Sequence, residues 1–111
     1  MSQNIDDSLR KENIIKTGFL FKKSKYLGRW KKRFVVLTDH YIFSYADDKP
    51  DADCTMNLLL KNCFGPKHVE TENKNEFGFS FCCDGKIYYF KTNTLEEKDE
   101  WFTTLRESLS K

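Results

Sequence analysis

Eight basic residues and no acidic one occur between Lys16 and Arg33, in the segment KTGFLFKKSKYLGRWKKR. The whole chain has 19 Lys and Arg against 17 Asp and Glu, so the remainder holds 11 basic and 17 acidic residues, a balance of −6. A nearly neutral protein therefore has its positive charge concentrated in one segment. A field of this kind attracts phosphates, nucleic acid or an anionic membrane face.

This basic segment has the pattern of a β-hairpin. Residues 18–22 form a predicted strand, residues 23–29 a polar tip with one Gly, and a second strand begins at Trp30. A tip of this length that contains Gly is typical of the longer hairpin loops. The hairpin would hold the cations of its tip at one end of two paired strands.

Alternation along the second strand distributes its cations over two faces. Lys31 and Arg33 are expected to point the same way, and Lys22 on the facing strand to join them. The other face would hold Trp30, Lys32 and Phe34. A phosphorylated head group requires several such fixed donors, with a forked guanidinium among them. A solvated basic hairpin without a specific ligand is the alternative.

The rest of the chain is predicted to be mainly β. Ten Phe, five Tyr and two Trp, with only two Pro, favour strands over a helical bundle, and 111 residues suffice for one domain. Strands are predicted at 14–21, 30–37, 41–45, 54–59, 61–69, 77–83 and 86–92. Asp84 and Gly85 predict a tight hairpin between the last two strands. The apolar period then changes to that of an amphipathic helix over 95–109, with Thr94 and Glu97 as a capping box.

These elements predict seven short antiparallel strands, as two packed sheets or a partly open barrel, and one C-terminal helix that closes an open end. Trp101 and Leu105, one helical turn apart, would face the core. Residues 1–13 are polar and are predicted to be a flexible leader, which leaves 14–111 as the folded domain.

Several function classes find no support in the residues. The two histidines, His40 and His68, have no nucleophile or base signature beside them, which argues against an enzyme. No CxxC pair indicates zinc, and no cofactor is expected. No apolar run approaches the roughly 20 residues of a membrane span. The four cysteines are expected to be free thiols in a reducing cytosol: Cys54, Cys63, Cys82 and Cys83.

The order of these elements resembles a pleckstrin homology (PH) domain. The matching features are GFLFK at 18–22, WKKRFVVL at 30–37, a Tyr-rich third strand and Trp101 in a terminal helix after seven strands. The resemblance covers roughly residues 14–110. It implies the PH fold and a binding module that recruits its protein to membranes.

Members of this family that bind 3-phosphorylated inositol lipids have a Lys and then a Lys/Arg-x-Arg across the first two strands. The resemblance implies phosphate ligation by Lys22, Lys31 and Arg33, with Arg33 supplying a bidentate contact. Lys86, after the hairpin turn, would add a cation. On the first loop the further implied ligands are Lys23, Lys25 and Arg29.

Two subfamilies differ in the third strand. The cytohesin type has a Tyr where this chain aligns Ser44, whereas the protein kinase B type uses a similar basic set without that Tyr. The chain therefore resembles the N-terminal PH domain of a protein kinase B-like kinase. The turn before Trp101 is also Glu-rich in that type, as it is here.

The expected partner is a phosphoinositide in an anionic membrane surface, reached from the cytoplasm by peripheral recruitment of a monomer. Tyr26 and Leu27 at the loop tip could enter the lipid interface or pack back on the sheet. The alternative function is a protein-interaction module of the same fold with weak or non-specific lipid binding. Nucleic acid is not an expected partner, because no RNA-binding motif is present and acidic residues cover the remaining surface.

Overall fold

The computed structural model describes residues 12–24 and 28–111. Within these residues, seven strands, one short 3₁₀ turn and one helix follow one another. They are β1 (Ile14–Lys23), β2 (Trp30–Thr38), β3 (Tyr41–Tyr45), β4 (Cys54–Leu59), the 3₁₀ turn (Leu60–Asn62), β5 (Cys63–Val69), β6 (Phe77–Cys83), β7 (Lys86–Thr92) and α1 (Leu95–Leu109). No helix in this part of the chain is long and apolar enough to cross a bilayer.

All seven strands belong to one antiparallel sheet with the order β4-β3-β2-β1-β7-β6-β5. The β1–β7 junction consists of two residue pairs, Phe21 with Lys91 and Lys22 with Phe90. β4 and β5 are the two edges, and the sheet is not closed. The predicted open antiparallel barrel with a C-terminal helix is thereby confirmed.

The helix α1 seals the core as its pattern predicts. Trp101 and Leu105 are 3% and 1% exposed, among the buried Phe side chains of β6 and β7. A Cβ on Gly18 would lie 3.4 Å from the Trp101 ring, an ordinary van der Waals contact, so the indole packs directly against β1. The Thr94 side chain accepts a hydrogen bond of 3.1 Å from the Glu97 amide, which satisfies one of the free amides at the helix start.

Three strands differ from their predicted bounds, and β2 differs least, ending at Thr38 rather than at Leu37. β1 extends to Lys23 rather than ending at Phe21, because Lys22 and Lys23 continue the ladder opposite Lys31 and Trp30. Lys23 is therefore a strand residue, whereas the sequence predicted it in the loop. β5 begins at Cys63, since the two residues before it belong to the 3₁₀ turn.

Glu12 and Asn13, which the sequence assigned to the leader, contact the β2–β3 turn. A Glu12 carboxylate oxygen accepts hydrogen bonds from the Thr38 hydroxyl at 3.0 Å and from the His40 amide at 2.7 Å. The Asn13 carbonyl accepts a bond from the Asp39 amide. The leader prediction for residues 1–11 lies outside the described residues.

The four cysteines, all within the described ranges, form no disulfide. As alternation predicts, Cys83 is fully buried while Cys82, on the opposite face of β6, is half-buried. Cys63 lies directly opposite Cys83 across β5 and β6. Burial raises the pKa of both thiols, which keeps them protonated and poorly reactive.

Candidate functional site

The register of β1 and β2 brings three predicted cations onto one face of the hairpin. Lys22 lies opposite Lys31, and Leu20 lies opposite Arg33. Directly opposed residues in an antiparallel pair point to the same side of the sheet. Because Leu20 is buried in the core, Lys22, Lys31 and Arg33 continue the core-facing side of the hairpin toward its loop end.

A cavity of about 210 Å³ lies at this loop end. Its lining consists of Lys22, Lys23, Ser24, Lys31, Arg33 and Thr55. Thr55, on β4, closes the side opposite the hairpin. Its hydroxyl bonds the Ser44 hydroxyl at 2.9 Å and donates to the Ser44 carbonyl at 3.1 Å, so Ser44 positions Thr55 and is itself fully buried.

A larger cavity of about 690 Å³ adjoins the first one and shares Lys22, Lys23 and Thr55 with it. The β6–β7 hairpin contributes the opposite side of this space, with Lys86 and the ring of Tyr88. The predicted cation Lys86 therefore faces the same region as Lys22, at the boundary of a wider opening.

The positive charge of the small cavity is uncompensated. No carboxylate among the described residues lines either cavity, and within the described ranges Lys22, Lys23, Lys31 and Arg33 form no ion pair. Burial, followed by the nearby Arg33 charge, lowers the pKa of Lys22. Among the described residues its ammonium has one weak aromatic partner, the Tyr88 ring 5.8 Å away. The site thus attracts an anion that could replace the missing counter-charge.

Two cations on the outer face of β2 and β7 have partners. Lys91 forms an ion pair with Glu76 at 2.9 Å, and its ammonium lies 4.5 Å from the Trp30 ring centre. The Lys32 ammonium lies 4.8 Å from the Phe19 ring centre. Trp30, Lys32 and Phe34 lie on this face, as alternation predicted.

A third cavity of about 930 Å³ lies between the hairpin and the β5–β6 connection. It contains Lys23, Trp30 and Lys91, but also three glutamates, Glu70, Glu72 and Glu76. These carboxylates oppose anion binding, so the carboxylate-free cavity around Lys22 is the stronger candidate.

The structure groups most of the predicted ligands. Four of them line the small cavity, and Lys86 lines the adjoining one. Arg29 is exposed just before β2 and lines neither cavity. Lys25, Tyr26 and Leu27 lie outside the described residues. Sequence reasoning missed Thr55 and Tyr88, because only the pairing of distant strands places them beside Lys22.

A model of the PH domain family matches residues 14–110. The chain belongs to the PH domain family. Domains of this family are binding modules rather than catalytic ones. The match spans all seven strands and α1, in agreement with the architecture above.

Relatives of known name match most of the chain. The phosphatidylinositol 4,5-bisphosphate-binding protein SLM1 of Saccharomyces cerevisiae is 30% identical over 108 residues, covering 83% of this chain and 16% of that protein. The human pleckstrin homology domain-containing family A member 6 is 27% identical over 99 residues, covering 86% and 9%. Kinesin-related protein 1 of Dictyostelium discoideum is 27% identical over 89 residues, covering 80% and 4%. The PH domain thus spans under a fifth of the length of these relatives.

Solved structures share the fold. The Slm1 PH domain in complex with inositol 4-phosphate has a TM-score of 0.70 and 25% identity, covering 87% of this chain and 96% of that one. The same domain with phosphoserine gives 0.69 and 27%, covering 88% and 97%. The C-terminal PH domain of pleckstrin gives 0.75 and 25%, covering 88% and 98%. The expected origin in a protein kinase B-like kinase finds no support in these relatives.

Proposed function

We propose that this PH domain binds phosphoinositide head groups at the cavity formed by Lys22, Lys31 and Arg33, and so recruits its protein to membranes. The observation that carries the proposal is the convergence of these three cations on one cavity that no carboxylate of the described residues lines. Lys23 lines the same cavity, and Lys86 would reach phosphates from the adjoining one.

The arginine and the two lysines are expected to bind phosphate in different ways. Arg33 offers a planar fork that can bond two oxygens of one phosphate, whereas Lys31 and Lys22 act as point charges. A hydrogen bond to a charged group contributes about 1.5–3 kcal/mol. Lys22, which is partly desolvated, gains most when a phosphate replaces water as its neighbour. Three such contacts sum to roughly 4.5–9 kcal/mol, which corresponds to millimolar to micromolar head-group affinity before the cost of association is subtracted.

The relatives support lipid binding without fixing the phosphate positions. SLM1 is named for binding phosphatidylinositol 4,5-bisphosphate, and pleckstrin's C-terminal PH domain has been solved with an inositol pentakisphosphate. Our proposal that this chain prefers 3-phosphorylated lipids rests on its Lys22 and Lys31-x-Arg33 pattern alone.

Exposed cations would strengthen membrane attachment beyond the cavity. Each Lys or Arg near an anionic surface contributes roughly 1 kcal/mol. Arg29 and Lys25 are proposed to act in this way from the β1–β2 loop. Because the cytoplasmic leaflet contains anionic lipids, the proposed location is the cytoplasmic face of the membrane. Residues 14–111 form the proposed recruiting domain.

Vesicle co-sedimentation across a phosphoinositide panel at constant total lipid charge tests the proposal. Arg33→Ala and Lys31→Ala should abolish a preference for 3-phosphorylated lipids that the wild type shows. Lys32→Ala is the matched control, because Lys32 is the neighbouring cation on the opposite face. Isothermal titration calorimetry with soluble inositol phosphates measures head-group recognition separately from attraction to a charged bilayer.

Three outcomes decide the matter. An equal loss of vesicle binding in Arg33→Ala and Lys32→Ala, with binding that depends only on total lipid charge and salt, would identify a non-specific basic face. If the wild type prefers 4,5-bisphosphorylated lipid and Arg33→Ala loses that preference, the cavity is retained as the binding site and the proposed preference for 3-phosphorylated lipids is replaced. No binding by the wild type would overturn lipid recognition and favour a protein-interaction module.

A further inference from the structure

Three side chains form an apolar row on the outer face of β5, β6 and β7. Phe64 lies opposite Cys82, and Cys82 lies opposite Ile87. Their neighbours Cys63 and Cys83 point into the core, so this row points outward. Phe64 is 62% exposed and Ile87 is 55% exposed. Phe64 is the most exposed large apolar side chain in the described part of the chain.

A β-bulge directly follows Phe64 on the edge strand β5. The β5–β6 register shifts between Phe64 and Lys67, and Gly65 within this bulge has a φ of +66°. Bulges re-aim side chains and occur preferentially at sheet edges, where β5 lies. Holding a Phe and an Ile in water is unfavourable, and adjoining exposed apolar residues of this kind mark interaction surfaces.

The apolar row borders the basic cavities. Ile87 lines the larger cavity together with Lys22 and Lys23, and Lys86 precedes it in the chain. Lys67, opposite Ser80, is exposed on the same outward face of β5. Asp84 in the β6–β7 turn is the one nearby carboxylate on this hairpin. Lysines flanking apolar side chains fit an anionic bilayer, where the rings and methyls enter the acyl boundary and the ammonium groups meet phosphates.

We propose that Phe64 and Ile87 form a membrane-insertion patch, which enters the lipid interface when the cavity engages a head group. The inference rests on the proposed lipid binding and deepens it, because it adds a second contact with the same bilayer. With the patch inserted, the domain lies on the membrane with its β6–β7 hairpin against the lipid.

Single replacements Phe64→Ser and Ile87→Ser test the patch, with Leu95→Ser as the matched control. Leu95 is a 50% exposed apolar residue that follows the opposite end of β7, and roughly 17 Å of strand separates Ile87 from Thr92 at that end. The probe is a phosphatidylcholine vesicle containing phosphatidylserine and one phosphoinositide, at high salt. The same proteins are titrated with the soluble inositol phosphate, and their thermal unfolding is recorded.

We expect each patch replacement to weaken vesicle binding about tenfold and the control to leave it unchanged. Affinity for the soluble inositol phosphate and thermal stability should stay at wild-type values in all three variants. Because the two patch residues lie on different strands, a folding defect in one variant leaves the other as a valid test.

Wild-type vesicle binding by both patch variants would overturn the inference while the cavity remains supported. Self-association of the wild type that the patch variants lose, with vesicle binding intact, would assign the patch to a second copy of the chain and likewise overturn it. A wild type that binds neither vesicles nor the soluble inositol phosphate would refute the proposed function, and the patch inference with it.

Discussion

Replacing Lys22 with Met should change stability and binding in opposite directions. Lys22 is half-buried beside Arg33 and has no counter-ion among the described residues. The positive charge of Lys22 is therefore unfavourable in the free domain, because it is partly desolvated and is repelled by the like charge of Arg33. Met keeps the length and apolar stem of the side chain and can contact the Tyr88 ring through its sulfur.

The expected magnitudes follow from this environment. After allowance for solvent screening of a half-buried side chain, relief of repulsion and desolvation should stabilise the free domain by about 0.5–1 kcal/mol. For a domain of this size the melting temperature would rise by roughly 2–4 °C. Loss of one charge-assisted bond to phosphate would weaken head-group binding by about 1.5–3 kcal/mol, on the order of tenfold to a hundredfold.

Thermal unfolding and titration with a soluble inositol phosphate measure the two effects, and Lys31→Met is the control. Lys31 is the exposed register partner of Lys22, so its replacement should weaken binding without a gain in stability. Because the folded-state pKa of Lys22 is lowered, its destabilising effect is present at neutral pH and fades as the pH rises through that lowered pKa. A Lys22→Met protein that is less stable than wild type at neutral pH would refute the reasoning.

Two further predictions concern the ends of the fold. Glu12→Ala should lower the free energy of unfolding by about 1 kcal/mol in urea titrations, since it removes the acceptor of the Thr38 hydroxyl and His40 amide. The hydrogen bond that the Glu12 carboxylate accepts from the His40 ring raises the pKa of His40, so the loss should be greatest between about pH 4.3 and 6.5, where Glu12 is ionised and His40 is protonated. It should shrink as the pH rises through the raised pKa of His40 or falls through the lowered pKa of Glu12, and a pH-independent loss would contradict this. Thr94→Ala should cost about 1 kcal/mol of stability because it removes the cap of α1, whereas Thr94→Ser, which keeps the hydroxyl, should be nearly neutral in the same unfolding assay.

Much of the fold followed from local patterns. The bounds of β3, β4, β6, β7 and α1 match the predictions, because alternation or helical periodicity coincides there with turn and cap residues. The convergence of Lys22, Lys31 and Arg33 also followed, since one hairpin register determines it. Their role as ligands stays a prediction.

Features that depend on distant pairing could not be predicted in this way. Two lysines at the end of β1 give a weak strand signal, and only the ladder to β2 extends the strand through Lys23. In the sequence, Thr55 is only a polar residue on a predicted strand. The pairing with β3, where Thr55 bonds Ser44, places it beside the cavity. Glu12 lies in a polar segment that resembles a leader, and only the His40 turn gives it partners.

The short β1–β7 junction has a consequence for biosynthesis. The hairpin that holds the cations is local and can form early, but Lys22 gains its β7 neighbour, Phe90, only after that strand has been synthesised. Contacts of such high sequence separation are slow to form and need nearly the whole domain outside the ribosome. A nascent chain that ends before β7 would display a basic, aromatic hairpin on an unfinished sheet, so the surroundings of Lys22 are complete only after the last strand has been synthesised.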